Sequence, residues 1–214
     1  MRYIDIDAWP RKNQYREFAA YAFPCYNYGT RIDVTELVKS CREHGASFFA
    51  CFLHTLIGVC LRYQGFRLRM DEKKRVIEYE TPAPSYTVLQ DNGVYGICIT
   101  PWQADRAAFC AAVAADIAAL KKNGPDEADF GSGRTDLFYI SCTPWVDGQV
   151  CLDPLPLGDA AGMSVPRISW GKYTEENGRF RMYLSFTLNH ALIDGYELCR
   201  AINELQKELD GFTL

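Results

Sequence analysis

Residues Thr187-Leu188-Asn189-His190-Ala191-Leu192-Ile193-Asp194-Gly195 set a histidine and an Asp-Gly pair four residues apart, at the end of a segment that alternates apolar and polar side chains. The chain has only three histidines. Neutral imidazole is the side chain best suited to accept a proton at about pH 7, and a strand end is a place from which a fold can present one to a cleft. The same residues admit a plainer reading. A lone histidine often serves structure, and Asp-Gly is a common turn whose aspartate can also cap a following helix.

The elements that must hold this segment can be read outward from it. Phe180, Met182, Leu184, Phe186 and Leu188 alternate, which predicts a strand over Arg179–Asn189 with His190 just beyond its end. Arg167–Tyr173 pairs with it as a hairpin across Glu175–Gly178, and Leu198, Ile202, Leu205 and Leu209 give the final helix, Tyr196–Leu209, one apolar face. Upstream, Phe18–Ile32 reads as strand, with a bend at Tyr26-Asn27-Tyr28-Gly29. A helix starts at Asp33 or Thr35 and stops at Gly45, and Ser47 caps a second, more apolar helix reaching about Tyr63. Phe66–Met70 and Arg75–Glu80 flank a turn, and strands follow at Ser85–Leu89 and Val94–Thr100. Asp105–Lys122 is an alanine-rich helix ended by Gly124-Pro125. Leu137–Ser141 is a short buried strand, and Asp147–Pro166 a long loop. Helices and strands mix without βαβ alternation, so the expected fold is α+β: a two-layer sandwich with a mixed or antiparallel sheet.

Length and composition fit one domain spanning residues 1–214, since 48% of residues are hydrophobic and no Pro/Gly/Ser linker divides the chain. A net charge of -4 with scattered basic residues argues against nucleic acid as a partner. The apolar stretch Ala46–Cys60 is too short to span a bilayer, so no membrane association is expected. Asp5 and Asp7 fall where a secretory signal would be apolar, which makes the cytoplasm the expected compartment. Nine cysteines without a Cys-x-x-Cys pair read as reduced, mostly buried thiols rather than a disulfide framework or zinc site, and no metal is called for.

The segment Asn189–Gly195 resembles the His-His-x-x-x-Asp-Gly motif of the chloramphenicol acetyltransferase family, which dihydrolipoyl acyltransferase cores and peptide-synthetase condensation domains share more loosely. Four further stretches occur in that family's order and at nearly its spacing: Asp5-Ile6-Asp7-Ala8-Trp9-Pro10-Arg11-Lys12, Pro84-Ser85-Tyr86-Thr87-Val88, Ile140-Ser141-Cys142-Thr143-Pro144-Trp145 and Ile168-Ser169-Trp170-Gly171-Lys172-Tyr173. The resemblance covers essentially the whole chain. It implies an acetyl-CoA-dependent O-acetyltransferase with His190 as general base and Ser141 as hydrogen-bond donor to the tetrahedral oxyanion. It makes Asp194 the partner of Arg11 in shaping the loop rather than an orienting member of a triad. Asn189 stands where the motif has its first histidine. Ser169 matches a threonine that helps to hold the acceptor, and Phe18 falls where a tyrosine touches chloramphenicol. The resemblance further implies a homotrimer with the active site between subunits, acetyl-CoA reaching His190 from the side opposite the acceptor, and a small-molecule hydroxyl compound as acceptor. Asn189, Phe18 and the divergent segment Asp147–Val165 leave two alternatives open: an unrelated hydroxyl acceptor, or a homologue that binds coenzyme A without catalysis.

Overall fold

The computed structural model describes residues 1–124 and 133–214. In chain order its elements are β1 (Arg2–Tyr3), α1 (Lys12–Ala19), β2 (Cys25–Asp33), α2 (Thr35–His44), α3 (Phe48–Arg62), α4 (Gln64–Arg67), β3 (Leu68–Met70), β4 (Val76–Glu78), β5 (Ala83–Leu89), β6 (Tyr95–Ile99), α5 (Arg106–Asn123), β7 (Leu137–Thr143), β8 (Arg167–Gly171), β9 (Thr174–Glu176), β10 (Arg179–Asn189) and α6 (Gly195–Asp210). Polar side chains start the longer helices. Ser47 accepts from Ala50 N–H at 3.3 Å, Asp105 from Ala108 N–H at 2.8 Å and Asp194 from Glu197 N–H at 2.9 Å. Gly45, at φ 62°, ends α2 in the left-handed conformation that glycine adopts most readily.

A seven-stranded sheet runs in the order β2-β10-β8-β7-β5-β6, with β9 added beside β10. β10 is antiparallel to its neighbours, whereas β8, β7 and β5 are mutually parallel, so the sheet is mixed. A smaller sheet has the order β1-β4-β3. Met182, Leu184, Phe186 and Leu188 turn one face of β10 into the layer of α2, α3, α5 and α6, where Phe52, Leu56, Leu198 and Leu205 are at most 1% exposed. Fully burying each such side chain contributes about 1.5–3 kcal/mol, and this layer backs the sheet behind the site. The α+β two-layer expectation is met.

The opposite face of the sheet is unusual. Ser169, Ser185, Thr187 and Asn189 lie there and are also buried, at 1–3% exposure. Segment 147–165 crosses over them. Among the described residues no helix is long and apolar enough to cross a membrane.

Two expectations fail. The strand expected over Phe66–Met70 begins only at Leu68, because Phe66 and Arg67 belong to the short helix α4. Phe18 belongs to α1 rather than to a strand, β2 begins only at Cys25, and Tyr26–Gly29 is fully paired with β10 instead of bending. The aromatic content of this stretch suggests β structure, but only Tyr15, Phe18 and Ala19, at helical spacing, pack inward, while Tyr21 and Phe23 are exposed. The flexible Gln149 side chain lies over Gly29, its amide nitrogen 1.7 Å from where a Cβ would stand. The expected stop of α5 includes Pro125, which lies outside the described residues.

Candidate active site

The end of β10 is fixed from several directions. His190 N–H donates to Pro24 O at 2.8 Å, and Asn189 O accepts from Leu192 and Ile193 N–H at 3.0 and 3.1 Å. The Asn189 side chain adds a turn of its own, with Oδ1 accepting from Ala191 N–H at 3.0 Å. Ala191 and Leu192 then bury themselves with Trp9, Tyr15, Leu68 and Met70, which ties the turn to α1 and the smaller sheet. The half-buried imidazole of His190 stacks on Phe18, with ring centroids 4.0 Å apart and planes at 17°, and lies 4.9 Å from Tyr26.

Arg11, at the start of α1, reaches the same turn from its other side. Its Nη1 is 3.5 Å from Asp194 and 3.2 Å from Glu197. Glu197 also accepts from Gly65 N–H at 2.8 Å, and burial pushes its carboxyl above the usual range, with Arg11 pulling the other way. Asp194 is occupied with Arg11 and the first turn of α6, and it makes no hydrogen bond to His190 among the described residues. A hydrolase-like triad is therefore not formed. Asn189 Nδ2 and His190 Nδ1 are buried and find no partner among the described residues.

Ser141 and Ser169 lie elsewhere. Register sets Ser141, Ser169 and Ser185 side by side across β7, β8 and β10. His190 is five residues beyond Ser185, roughly 17 Å along the strand at about 3.4 Å per residue. The sequence-named residues thus fall into two groups in one chain: Arg11, Phe18, Asn189, His190 and Asp194 at the end of β10, and Ser141 with Ser169 in mid-sheet. Ser141 is half-buried and lines a cavity of about 600 Å³. Ser169 Oγ donates to Asp153 at 2.6 Å. Next to Ser141, Cys142 lines a separate cleft of about 550 Å³ with aromatic walls, including Phe49, Trp145, Trp170 and Tyr173, and one cation, Lys172.

Glu197 and Asp153 escaped the sequence reading. Glu197 carried a signal, because Asp194-x-x-Glu197 has capping-box spacing at the start of a helix. Asp153 carried a weaker one, as the sole acid in Val150-Cys151-Leu152-Asp153-Pro154-Leu155.

Solved structures set the fold among acetyltransferases. A chloramphenicol acetyltransferase superposes with a TM-score of 0.86 at 23% identity, covering 97% of this chain and 99% of the other. A dihydrolipoamide acetyltransferase from Azotobacter vinelandii gives 0.66 at 17% identity, covering 93% and 86%. The sequence then narrows the class: residues 1–206 match the chloramphenicol acetyltransferase family, and the chain belongs to it. Among its relatives are the chloramphenicol acetyltransferases of Escherichia coli, 26% identical over 209 residues (97% of this chain, 93% of that protein), and of Vibrio anguillarum, 27% identical over 207 residues (96% and 92%). The family is one of acyltransferases.

Proposed function

We propose that the protein moves an acetyl group from acetyl-CoA to a hydroxyl of chloramphenicol or a related small molecule, at sites built from two copies of the chain in a homotrimer. His190 takes the proton of the acceptor hydroxyl as its oxygen adds to the thioester carbonyl. Ser141 donates a hydrogen bond to the oxyanion that forms. Collapse releases the thiolate of coenzyme A, which recovers the proton from His190. No acetyl-enzyme intermediate is needed. Arg11, Asp194 and Asn189 fix the turn that carries the base, and Phe18 holds one face of its ring.

The observation that carries this reading is the separation of an anchored imidazole from an available hydroxyl. The Ser141 hydroxyl makes no hydrogen bond among the described residues and opens on a cavity, yet its own chain's His190 lies well beyond the reach of one bound carbonyl. A second copy of the chain supplies the missing half. The aromatic cleft beside Cys142, with Lys172 at its wall, has the chemistry to take the long thioester arm and a phosphate of acetyl-CoA. Ser141 and Cys142 are successive residues of a strand, so donor and acceptor would approach from its two faces.

Mixed assembly tests both parts. His190→Ala and Ser141→Ala homomers should each form little acetyl ester, as measured by mass spectrometry with chloramphenicol and acetyl-CoA. Co-refolding them in equal amounts should restore activity at about a quarter of the sites, where an intact His190 meets an intact Ser141. Failure of the mixture to regain activity would remove the shared site. His190→Ala turning over at the native rate would remove the acyl-transfer role of that residue.

A further inference from the structure

Asp153 is the acid that segment 147–165 carries down onto the polar face of the sheet. It is 8% exposed. Its two carboxylate oxygens accept from Ser169 Oγ at 2.6 Å and Thr187 Oγ1 at 2.7 Å, and Thr187 in turn accepts from Asn27 Nδ2 at 2.8 Å. All of these donors are neutral, and Asp153 enters no ion pair among the described residues. Arg167 lines the same cavity and its charge reaches Asp153, but its Nη1 donates to the carbonyls of Gly162 and Val165, at 3.2 and 2.9 Å, and the two side chains form no ion pair. A charge taken out of water in this way is costly unless a cation completes it. A carboxylate also accepts more hydrogen bonds than the two it receives here from side chains.

The position of this charge gives it a use. Asp153 borders both the cavity that contains Ser141 and a second, more apolar cavity of about 920 Å³ lined by Tyr21, Phe23, Leu157 and Met163. Ser169, which presents the carboxylate, sits opposite Ser141 on the neighbouring strand, about 4.8 Å away. The Ser169 hydroxyl hydrogen is committed to Asp153, so at this spot a substrate meets an anion rather than a free hydroxyl donor. A neutral aromatic acceptor would cover that anion without pairing it. An ammonium group would pair it with charge-assisted hydrogen bonds in a site shielded from water.

We propose that Asp153 selects the acceptor, and that the preferred substrate is an amino alcohol whose ammonium group pairs with Asp153 while its hydroxyl is acetylated beside Ser141. The inference rests on the acetyl-transfer reading above. The protonated nitrogen has no lone pair and is not acylated. The hydroxyl oxygen forms the new bond to the acetyl carbon, the carbon–sulfur bond breaks, and the hydroxyl proton passes through His190 to the thiolate, giving an ester and free coenzyme A. Asp153 is a selecting group and takes no proton in this sequence.

The test compares two acceptors that carry the same two hydroxyls: chloramphenicol, and the amino diol left when its dichloroacetyl group is removed. Ester formation is followed by mass spectrometry for the native oligomer and for Asp153→Asn. The native protein should favour the amino diol in kcat/KM by about 10-fold or more, the range expected of a charge-assisted pair. Asp153→Asn should abolish that preference; a folding defect would lower both rates together and leave their ratio unchanged. The native preference should also fade as pH is raised through the amine's own pKa, which a merely structural aspartate would not cause. Native preference for chloramphenicol, or a ratio unmoved by Asp153→Asn, overturns the selecting role while His190-dependent transfer stands. Absence of ester from both acceptors overturns the acetyl-transfer reading and this inference with it.

Discussion

The turn after β10 and the segment 147–165 both close the outer side of the sheet, but they are held there by different forces. The turn is overdetermined: backbone hydrogen bonds from Asn189 and His190, a buried apolar cluster with Trp9 and Tyr15, and Arg11 bridging two carboxylates all fix the same few residues. The crossing segment is held at its two ends and at one acid between them. It leaves Leu152 and Leu157 at 52% and 73% exposure, and its ties are Asp147 to Arg31 and Thr174, the Asp153 carboxylate to the sheet, and the buried residues Met163, Ser164 and Val165 at its end. The difference assigns different duties. A base must keep its ring within a fraction of an ångström of one place, whereas a segment that chooses an acceptor can change its contacts without disturbing the base.

The largest contrast between the two regions is expected at Ser141. Ser141→Ala removes a hydroxyl that supports no other group, so it should lower kcat by about 100-fold, as loss of one oxyanion donor typically does, and leave the thermal midpoint unmoved. Single-turnover ester formation alongside thermal melting measures both. A midpoint drop comparable with that of variants in the turn would mean that mid-sheet polar residues carry structure after all.

Legibility in the sequence followed the same division. Strand β10, helix α6 and the position of His190 were readable because alternation, a cap and a turn are local patterns, each with its own physical cause. The Arg11–Asp194 pair was reachable only through family resemblance, because it joins residues from opposite ends of the chain. α1 was misread because its aromatic residues favour strands, and the deciding contacts, with Leu68, Met70 and Leu192, lie far away in sequence. Asp153 was missed for a similar reason. Nothing near it in sequence says that Ser169 and Thr187 will meet it, since β8 and β10 must first pair and the segment must then fold across them.

Arg11→Ala is the second, smaller way to break the comparison. It should cost about 2–3 kcal/mol of stability, less than a fully buried pair because Asp194 remains partly open to solvent. Two carboxylates would then face each other without their cation, and the turn would loosen, so acetyl transfer should fall together with stability. Denaturant unfolding monitored alongside ester formation tests this coupling. Loss of stability at full activity would show that the turn holds His190 without help from Arg11.

The smallest effect concerns Glu197, whose raised carboxyl makes the turn sensitive to pH. Burial is the largest influence and outweighs the Gly65 N–H and Arg11, so in the folded protein this carboxyl keeps its proton to a pH above the ordinary 4.5. The fold therefore binds more protons here than the unfolded chain does in the window just above that value. Stability from this group is fully present below 4.5 and is lost as pH rises through the folded value. Glu197→Gln keeps the shape and a hydrogen-bond acceptor for Gly65 N–H but cannot titrate. The native thermal midpoint should therefore fall more steeply than that of Glu197→Gln as pH is raised from 4.5, and the two slopes should meet once the native carboxyl is fully ionised. A native midpoint that rises relative to that of Glu197→Gln through the same window would mean that the Gly65 N–H and Arg11 together outweigh burial in setting the charge of the turn.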